Sequence, residues 1–293
     1  MVGGPPVDDR GRAGTGTKGR NVDGQAAAKA ALNTAGVAVR AEGFGLEGPR
    51  GWAFRDLTID AEPGSLIAIE GPSGTGRTCL LLALTGRMRP TEGTASVGRM
   101  RLPKQMAAVR RISALGHTPG VSELEPALTV AEHLRERALL QRRFGGSLRG
   151  LLRPRAERTA EARLRIERAL QAAGLDPETL PKGTRTAVRD LERTEALRLS
   201  IALALIAEPR LLGIDDTDLK LSDDERTEIW ELLASLAESG TTVVAVCSEA
   251  PANAVVISTA AATDTGANDD TTDGTTADSR RGNGDALAEA RRA

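Results

Sequence analysis

Three short runs along the chain are apolar at nearly every position: Leu66-Ile67-Ala68-Ile69, Leu211-Leu212-Gly213-Ile214, and Thr241 to Cys247. The last has the pattern expected of a parallel strand buried on both faces. Val37 to Leu46 and Trp52 to Ile59 alternate instead, apolar against small or polar, around Gly48-Pro49-Arg50-Gly51, which predicts a hairpin-like pair of strands. Thr94 to Val97, Arg111 to Leu115 and Ala254 to Ile257 predict further short strands. From Thr129 to Leu205 β-branched residues thin out and Ala, Leu, Arg and Glu dominate, so a helical subdomain is expected at about 125–190. Ser222-Asp223-Asp224-Glu225 has the spacing of a capping box opening an amphipathic helix that runs to about Ser239. The order of elements predicts an α/β protein.

Patterning stops at both ends. Residues 1–36 are rich in Gly, Pro, Ala and charge with no sustained period, which predicts a flexible arm. From Thr259 to residue 293 the chain is Ala, Thr, Asp and Gly, which predicts a disordered tail with at most a helical turn near Asp285 to Arg291. The expected folded domain is therefore 37–258.

Composition narrows the class of function. With 40% apolar and 27% charged residues the chain suits a soluble domain, and at 2% aromatic content its core must be built from Leu, Val, Ile and Ala. A net charge of −1 gives no case for nucleic acid as the partner. Cys79 and Cys247 are too few and too far apart for a disulfide framework or a zinc site, which fits a reducing cytosol. The N-terminus lacks the apolar core of a signal peptide, and no apolar stretch approaches the ~20 residues that span a bilayer, so at a membrane another chain would do the spanning. Arg135 to Arg168 is heavily basic, broken by Gly145-Gly146 and Pro154 into two expected helices and a linker. It reads either as a solvated face or as a docking surface for a membrane protein or anionic lipid.

Chemistry concentrates after the first apolar run. Gly71-Pro72-Ser73-Gly74-Thr75-Gly76-Arg77-Thr78 leads straight into Cys79-Leu80-Leu81-Leu82, giving strand, glycine loop and helix. Such a loop turns backbone N–H groups inward and adds the positive end of the helix dipole, which suits a phosphate. Thr78 would place a hydroxyl on Mg²⁺, and position 77 would ordinarily hold a Lys reaching the β- and γ-phosphates. Here it is Arg77, with the same charge on a planar fork. The octet alone also fits an ordinary glycine-rich turn. The second apolar run ends in Asp215-Asp216, at the strand end where open α/β sheets bind ligands. Asp215 is then the candidate holder of the Mg²⁺ that Thr78 touches, and Asp216 the candidate to position or deprotonate water, although such a pair also serves as capping. Cys79, on the first helical turn, has either a thiol activated by the dipole or a packed one. His133 has no partner at metal-ligand spacing and reads as structural.

Taken in order, five blocks resemble the nucleotide-binding subunit of an ABC transporter over about Val37 to Ser258. They are the octet at 71–78, Gly86 to Gly93, Leu128 to Leu134, Ala202 to Leu212 running into Asp215-Asp216, and Gly240 to Val244. The resemblance implies a P-loop NTPase fold with a RecA-like core, an antiparallel β-subdomain and a helical subdomain. It implies a pair of cassettes closed on two ATP molecules with Mg²⁺, at the cytoplasmic face of a membrane, driving a transmembrane permease. The pair would be a homodimer or a mixed dimer with another cassette. Carried over by position, the catalytic Glu falls on Asp216 and the Gln that links γ-phosphate and metal to the helical subdomain falls on His117. The signature loop that caps the partner's γ-phosphate falls on Leu191-Glu192-Arg193-Thr194-Glu195, without its glycines. The switch His falls on Glu249, and the Asp of the loop after the second acid falls on Ser222. The aromatic that stacks on adenine has Trp52 as its nearest candidate. These departures imply retained ATP binding with slow or partner-dependent hydrolysis; the alternative is a pseudo-ATPase that regulates a partner.

Overall fold

The computed structural model describes Met1 and residues 36–144, 154–218 and 220–259. Gly36 and Thr259, expected in the arm over 1–36 and the disordered tail over 259–293, are instead buried and bonded to the folded domain, through the Gly240 and Glu70 carbonyls. The rest of the arm apart from Met1, the rest of the tail with its helical turn, and the linker with Gly145-Gly146, Arg149 and Arg153 lie outside these residues. Apart from Met1, the described residues belong to one unit of the chain, Thr34–Ala293.

Its centre is a five-stranded parallel sheet. β3 (Leu66–Glu70), β6 (Ser113–Leu115), β7 (Leu211–Ile214), β8 (Thr242–Cys247) and β9 (Val255–Ser258) lie in the order β6-β7-β8-β3-β9. The continuous apolar runs follow from burial on both faces, because successive side chains of a strand point opposite ways. Leu66, Ala68, Leu212, Ile214, Val243 and Ala245 join one apolar layer, which includes Leu199 and Ile201 of α5 (Arg193–Leu205) and Ile229 and Leu233 of α6 (Asp223–Glu238). Ile67, Ile69, Leu211, Val244 and Val246 join the other, with Leu80, Leu81 and Leu84 of α1 (Arg77–Leu84).

That second layer is closed by an antiparallel sheet in the order β2-β1-β4-β5, made of β1 (Val39–Gly48), β2 (Gly51–Ala61), β4 (Glu92–Val97) and β5 (Met100–Leu102). Phe44 and Phe54 meet there with ring centroids 5.6 Å apart, two of the few aromatics in an otherwise aliphatic core. The hairpin expected from the alternation is β1 paired with β2, from Val39 opposite Ala61 to Gly48 opposite Gly51, with register shifts between Ala41 and Glu47.

Two elements differ from expectation. Arg111 and Ile112 do not extend β6 but finish α2 (Met106–Ile112), and neither α2 nor β5 is apparent in the sequence pattern. A three-residue strand and a two-turn helix are too short for either periodicity to emerge. The helical region contains α3 (Val130–Phe144) and α4 (Arg155–Ala172), the latter with Pro154 as its N-cap. The described arginines of α4 are largely paired: Arg163 with Glu167 at 2.8 Å, Arg165 with Glu161 at 2.7 Å, and Arg165 and Arg168 with Glu208 at 3.7 and 3.8 Å. Such exposed pairs add little stability and fit the solvated-face reading. α6 starts with the expected capping box, since Ser222 Oγ accepts the Glu225 N–H at 3.3 Å and Glu225 Oε2 accepts the Ser222 N–H at 2.8 Å. Among the described residues no helix is long and apolar enough to cross a membrane.

Candidate functional site

The loop from β3 to α1 is shaped by what surrounds it. Gly76 is the N-cap of α1 with φ 79° and brings no side-chain cap, which leaves the helix's leading N–H groups to an anion. A Cβ at Gly76 would stand 1.9 Å from the carbonyl oxygen of Ala53 in β2. The antiparallel sheet thus forms a wall against which only glycine fits. Thr75 Oγ donates to the Pro72 carbonyl at 2.8 Å and folds the loop onto itself.

Thr78 and Asp215, 137 positions apart, meet directly: the Thr78 hydroxyl donates to Asp215 Oδ2 at 2.7 Å. β7 delivers the carboxylate to the sheet edge where α1 begins, as expected for the carboxyl end of a parallel strand. Asp215 is 1% exposed. Burial pushes its pKa up to about 6 and the neighbouring Asp216 adds to this, against the Thr78 hydroxyl, the Asp216 N–H and the Arg77 charge. A carboxylate held this way is stabilised by a cation. Hydroxyl and carboxylate oxygens are hard donors that suit Mg²⁺, so the pair fits that ion. No group of three His, Cys, Asp or Glu that could hold a metal occurs among the described residues. The remaining ligands would come from phosphate and water, the usual arrangement for Mg²⁺.

Asp216 follows in left-handed backbone, φ 48°, its N–H donating to Asp215 Oδ1 at 3.0 Å. Arg77 reaches across to the end of β8, where its guanidinium donates to the Cys247 carbonyl at 2.5 Å. A guanidinium carries five N–H donors, so this contact leaves a fork for phosphate. His117, just beyond β6, accepts the Asp215 N–H on its carbonyl at 2.8 Å. Its ring is half-buried beside a cavity of about 220 Å³ lined also by Glu123, Leu124 and Arg193. Burial lowers the His117 pKa, Arg193 lowers it further, and Asp216 and Glu123 oppose the shift. The octet, Asp215, Asp216 and His117 are therefore brought to one end of the parallel sheet.

Two of the departing stretches are engaged elsewhere. Glu192 is the N-cap of α5 and closes a capping box with Glu195, whose carboxylate accepts the Glu192 N–H at 2.9 Å. Both acids of that stretch are turned onto their own helix. Ser222 caps α6. Glu249 is exposed beyond β8, while the N–H of the adjacent Ser248 is held by Asp218 Oδ2 at 2.6 Å. Arg55 stacks over the Trp52 ring at 4.6 Å, occupying one face of the aromatic nominated for adenine. The Cys79 thiol is pushed up by burial and by Asp215, the packed alternative of the two readings. His133 is buried with its Nε2 3.3 Å from the Glu125 carbonyl, as a structural residue. Sequence reasoning missed Ala53 and Asp218. Ala53 acts through its backbone and carries no signal in sequence, and Asp218 is a lone acid beyond the motif that carries the resemblance.

Comparison with known proteins agrees with this geometry. The family model described as ABC transporter matches residues 54–218. The "Nod factor export ATP-binding protein I" of Cupriavidus metallidurans is 30% identical over 189 residues, 64% of this chain and 55% of that protein. The "Probable anion import ATP-binding protein" of Haloferax volcanii is 29% identical over 199 residues, 66% of this chain and 65% of that protein. The chain spans about half the length of the Nod factor export proteins it matches. Among solved structures, "Dimeric Structure of MJ0796, a Bacterial ABC Transporter Cassette" superposes with a TM-score of 0.58 at 20% identity, covering 75% of this chain and 94% of that one. At that identity the likeness speaks for the fold, a P-loop NTPase core with antiparallel and helical additions. A family match over more than half the chain, on a phosphate loop and acid already in contact, shows that the chain belongs to the ABC transporter family as a nucleotide-binding cassette.

Proposed function

We propose that this chain is the ATP-binding subunit of an ABC-type transporter, binding Mg-ATP at Gly71–Thr78 and coupling it to a transmembrane permease subunit from the cytoplasmic face of the membrane. The observation that carries the reading is the 2.7 Å contact between Thr78 and Asp215 beside an uncapped α1 N-terminus. The loop amides and the helix dipole bind the phosphates, Arg77 adds the cation, and Thr78 and Asp215 hold Mg²⁺. When bound, Mg²⁺ supplies charge neutralisation on the β- and γ-phosphates. Asp216 positions the attacking water, with His117 beside it.

Hydrolysis is slow or depends on the partner. Asp216 is a methylene shorter than the Glu the family places there, and a displacement of about 1 Å at a reacting centre costs ~10²-fold. Glu249 brings a negative charge where the family has a His. The active unit is a dimer of cassettes, and the capped start of α5 favours a mixed dimer whose other member supplies an intact signature loop. The same feature favours the second reading, a nucleotide-sensing pseudo-ATPase, because the carboxylates closing that helix start take the Glu192 and Glu195 N–H groups and set negative charge where a partner's phosphate would come.

Mg-ATP binding and single-turnover hydrolysis test both readings. The parent is expected to bind, Arg77→Ala to lose about tenfold or more in affinity through one charge-assisted contact worth ~1.5–3 kcal/mol, and Asp216→Asn to bind normally with turnover lost. Turnover in the parent at the rate of an ordinary transporter ATPase would contradict the slow-hydrolysis reading. Binding with no turnover would favour the pseudo-ATPase.

A further inference from the structure

The loop is tied to a residue that neither motif nor family position singles out. Thr259 is the first residue past β9, whose last residue, Ser258, pairs with Glu70 at the end of β3. It is 0% exposed. Its N–H donates to the Glu70 carbonyl at 3.0 Å, and its hydroxyl oxygen lies 2.7 Å from Thr75 Oγ and 3.2 Å from the Glu70 carbonyl.

Each threonine hydroxyl has one proton, and a backbone carbonyl accepts two. Thr75 Oγ lies 2.8 Å from the Pro72 carbonyl, and between Thr75 Oγ and Thr259 Oγ either oxygen is the donor. In both arrangements the Thr259 hydroxyl joins Thr75 while its N–H holds the Glu70 carbonyl. A single buried residue thereby holds the residue that enters the glycine loop, Glu70, and one near its exit, Thr75. The distance between those two points sets how tightly the loop curves, and the curvature aims the loop amides.

We propose that Thr259 is a positioning residue for the nucleotide site, a staple across the mouth of the phosphate loop that acts through Thr75. The inference rests on the nucleotide-binding reading above. Thr259→Val keeps the shape and the backbone N–H and removes only the hydroxyl. Thr259→Ser restores it.

The full chain is compared in two ways: by Mg-ATP titration calorimetry, and by hydrogen exchange of the peptides covering Gly71–Thr78 without nucleotide. Thr259→Val is expected to weaken Mg-ATP about five- to tenfold, the scale of one hydrogen bond, and to speed exchange in those peptides. Thr259→Ser should return both to within about twofold of the parent, and Thr75→Val with Thr259→Val should be no weaker than either alone, as for partners in one contact. Parental affinity in Thr259→Val, a loss that serine does not rescue, or unchanged loop exchange overturns the proposal. Should the parent bind no ATP, the nucleotide reading falls, and the exchange comparison alone upholds or overturns the staple.

Discussion

Asp215→Asn is expected to make the nucleotide-free protein more stable at neutral pH while removing magnesium-dependent ATP binding. The two effects share one cause. The Asp215 carboxyl is raised from 3.8 to about 6, first by burial and then by Asp216, against the Thr78 hydroxyl. In the unfolded chain it ionises near its ordinary value, so below pH ~4 both states are protonated and the group is neutral to stability. Between about 4 and 6 the unfolded state releases its proton while the folded state keeps it, and stability falls as pH rises. Above about 6 the folded state carries a buried charge and the loss is complete. A shift of that size amounts to about 3 kcal/mol at pH 7. Asparagine keeps the shape without the charge. The stability gap between variant and parent should therefore widen from pH 4 to pH 6 and stay level above it. Thermal unfolding across that range and Mg-ATP calorimetry at pH 7.5 check the two halves. A variant that melts below the parent at pH 7.5, or still binds Mg-ATP like it, would show that Asp215 is a structural acid and not the ion's holder.

The elements legible from sequence are those whose chemistry is local. The octet at 71–78 is a single stretch in which strand, turn and helix signals coincide, and β7 with its two acids is another. Ser222 and Glu225 stand three apart and cap α6 as their spacing foretells. What the sequence conceals is contact between distant stretches. Arg77 and Cys247 lie 170 positions apart, Thr75 and Thr259 184, and no local pattern marks either pair. Glu192 is a case of a pattern present but masked. Ser, Thr, Asp and Asn are the favoured N-caps, so a Glu at that place, with Glu three residues on, reads as misplaced charge. The structure uses both as a capping box. The fold class was within reach because parallel strands buried on both faces produce unbroken apolar runs. α2 and β5 were not, since neither completes enough repeats.

Gly76→Ala should be far more damaging than Gly74→Ala, although both glycines have left-handed backbone, φ 79° and 87°. That conformation alone costs an alanine about 1–2 kcal/mol, and for Gly74 that is the whole penalty, because a Cβ there meets nothing within 4 Å. At Gly76 the Cβ would meet the Ala53 carbonyl oxygen at 1.9 Å and its carbon at 2.5 Å, and both belong to backbone that cannot rotate away. Relief requires either that β2 move, which opens its pairing with β1, or that the loop lift from the sheet. The second route turns the α1 N–H groups off the phosphate by something on the order of 1 Å, enough for a ~10²-fold effect where geometry is exacting. The expected result is a loss of at least ~10²-fold in Mg-ATP affinity for Gly76→Ala, with a clear drop in melting temperature. Gly74→Ala should bind within about thirtyfold of the parent, since 1–2 kcal/mol of backbone strain sets its limit. Equal losses in the two variants would mean that backbone freedom alone, and not the wall formed by β2, sets the shape of the loop. The binding site would then owe nothing to the antiparallel sheet beside it, and the packing of Ala53 under Gly76 would be a consequence of the loop and not its cause.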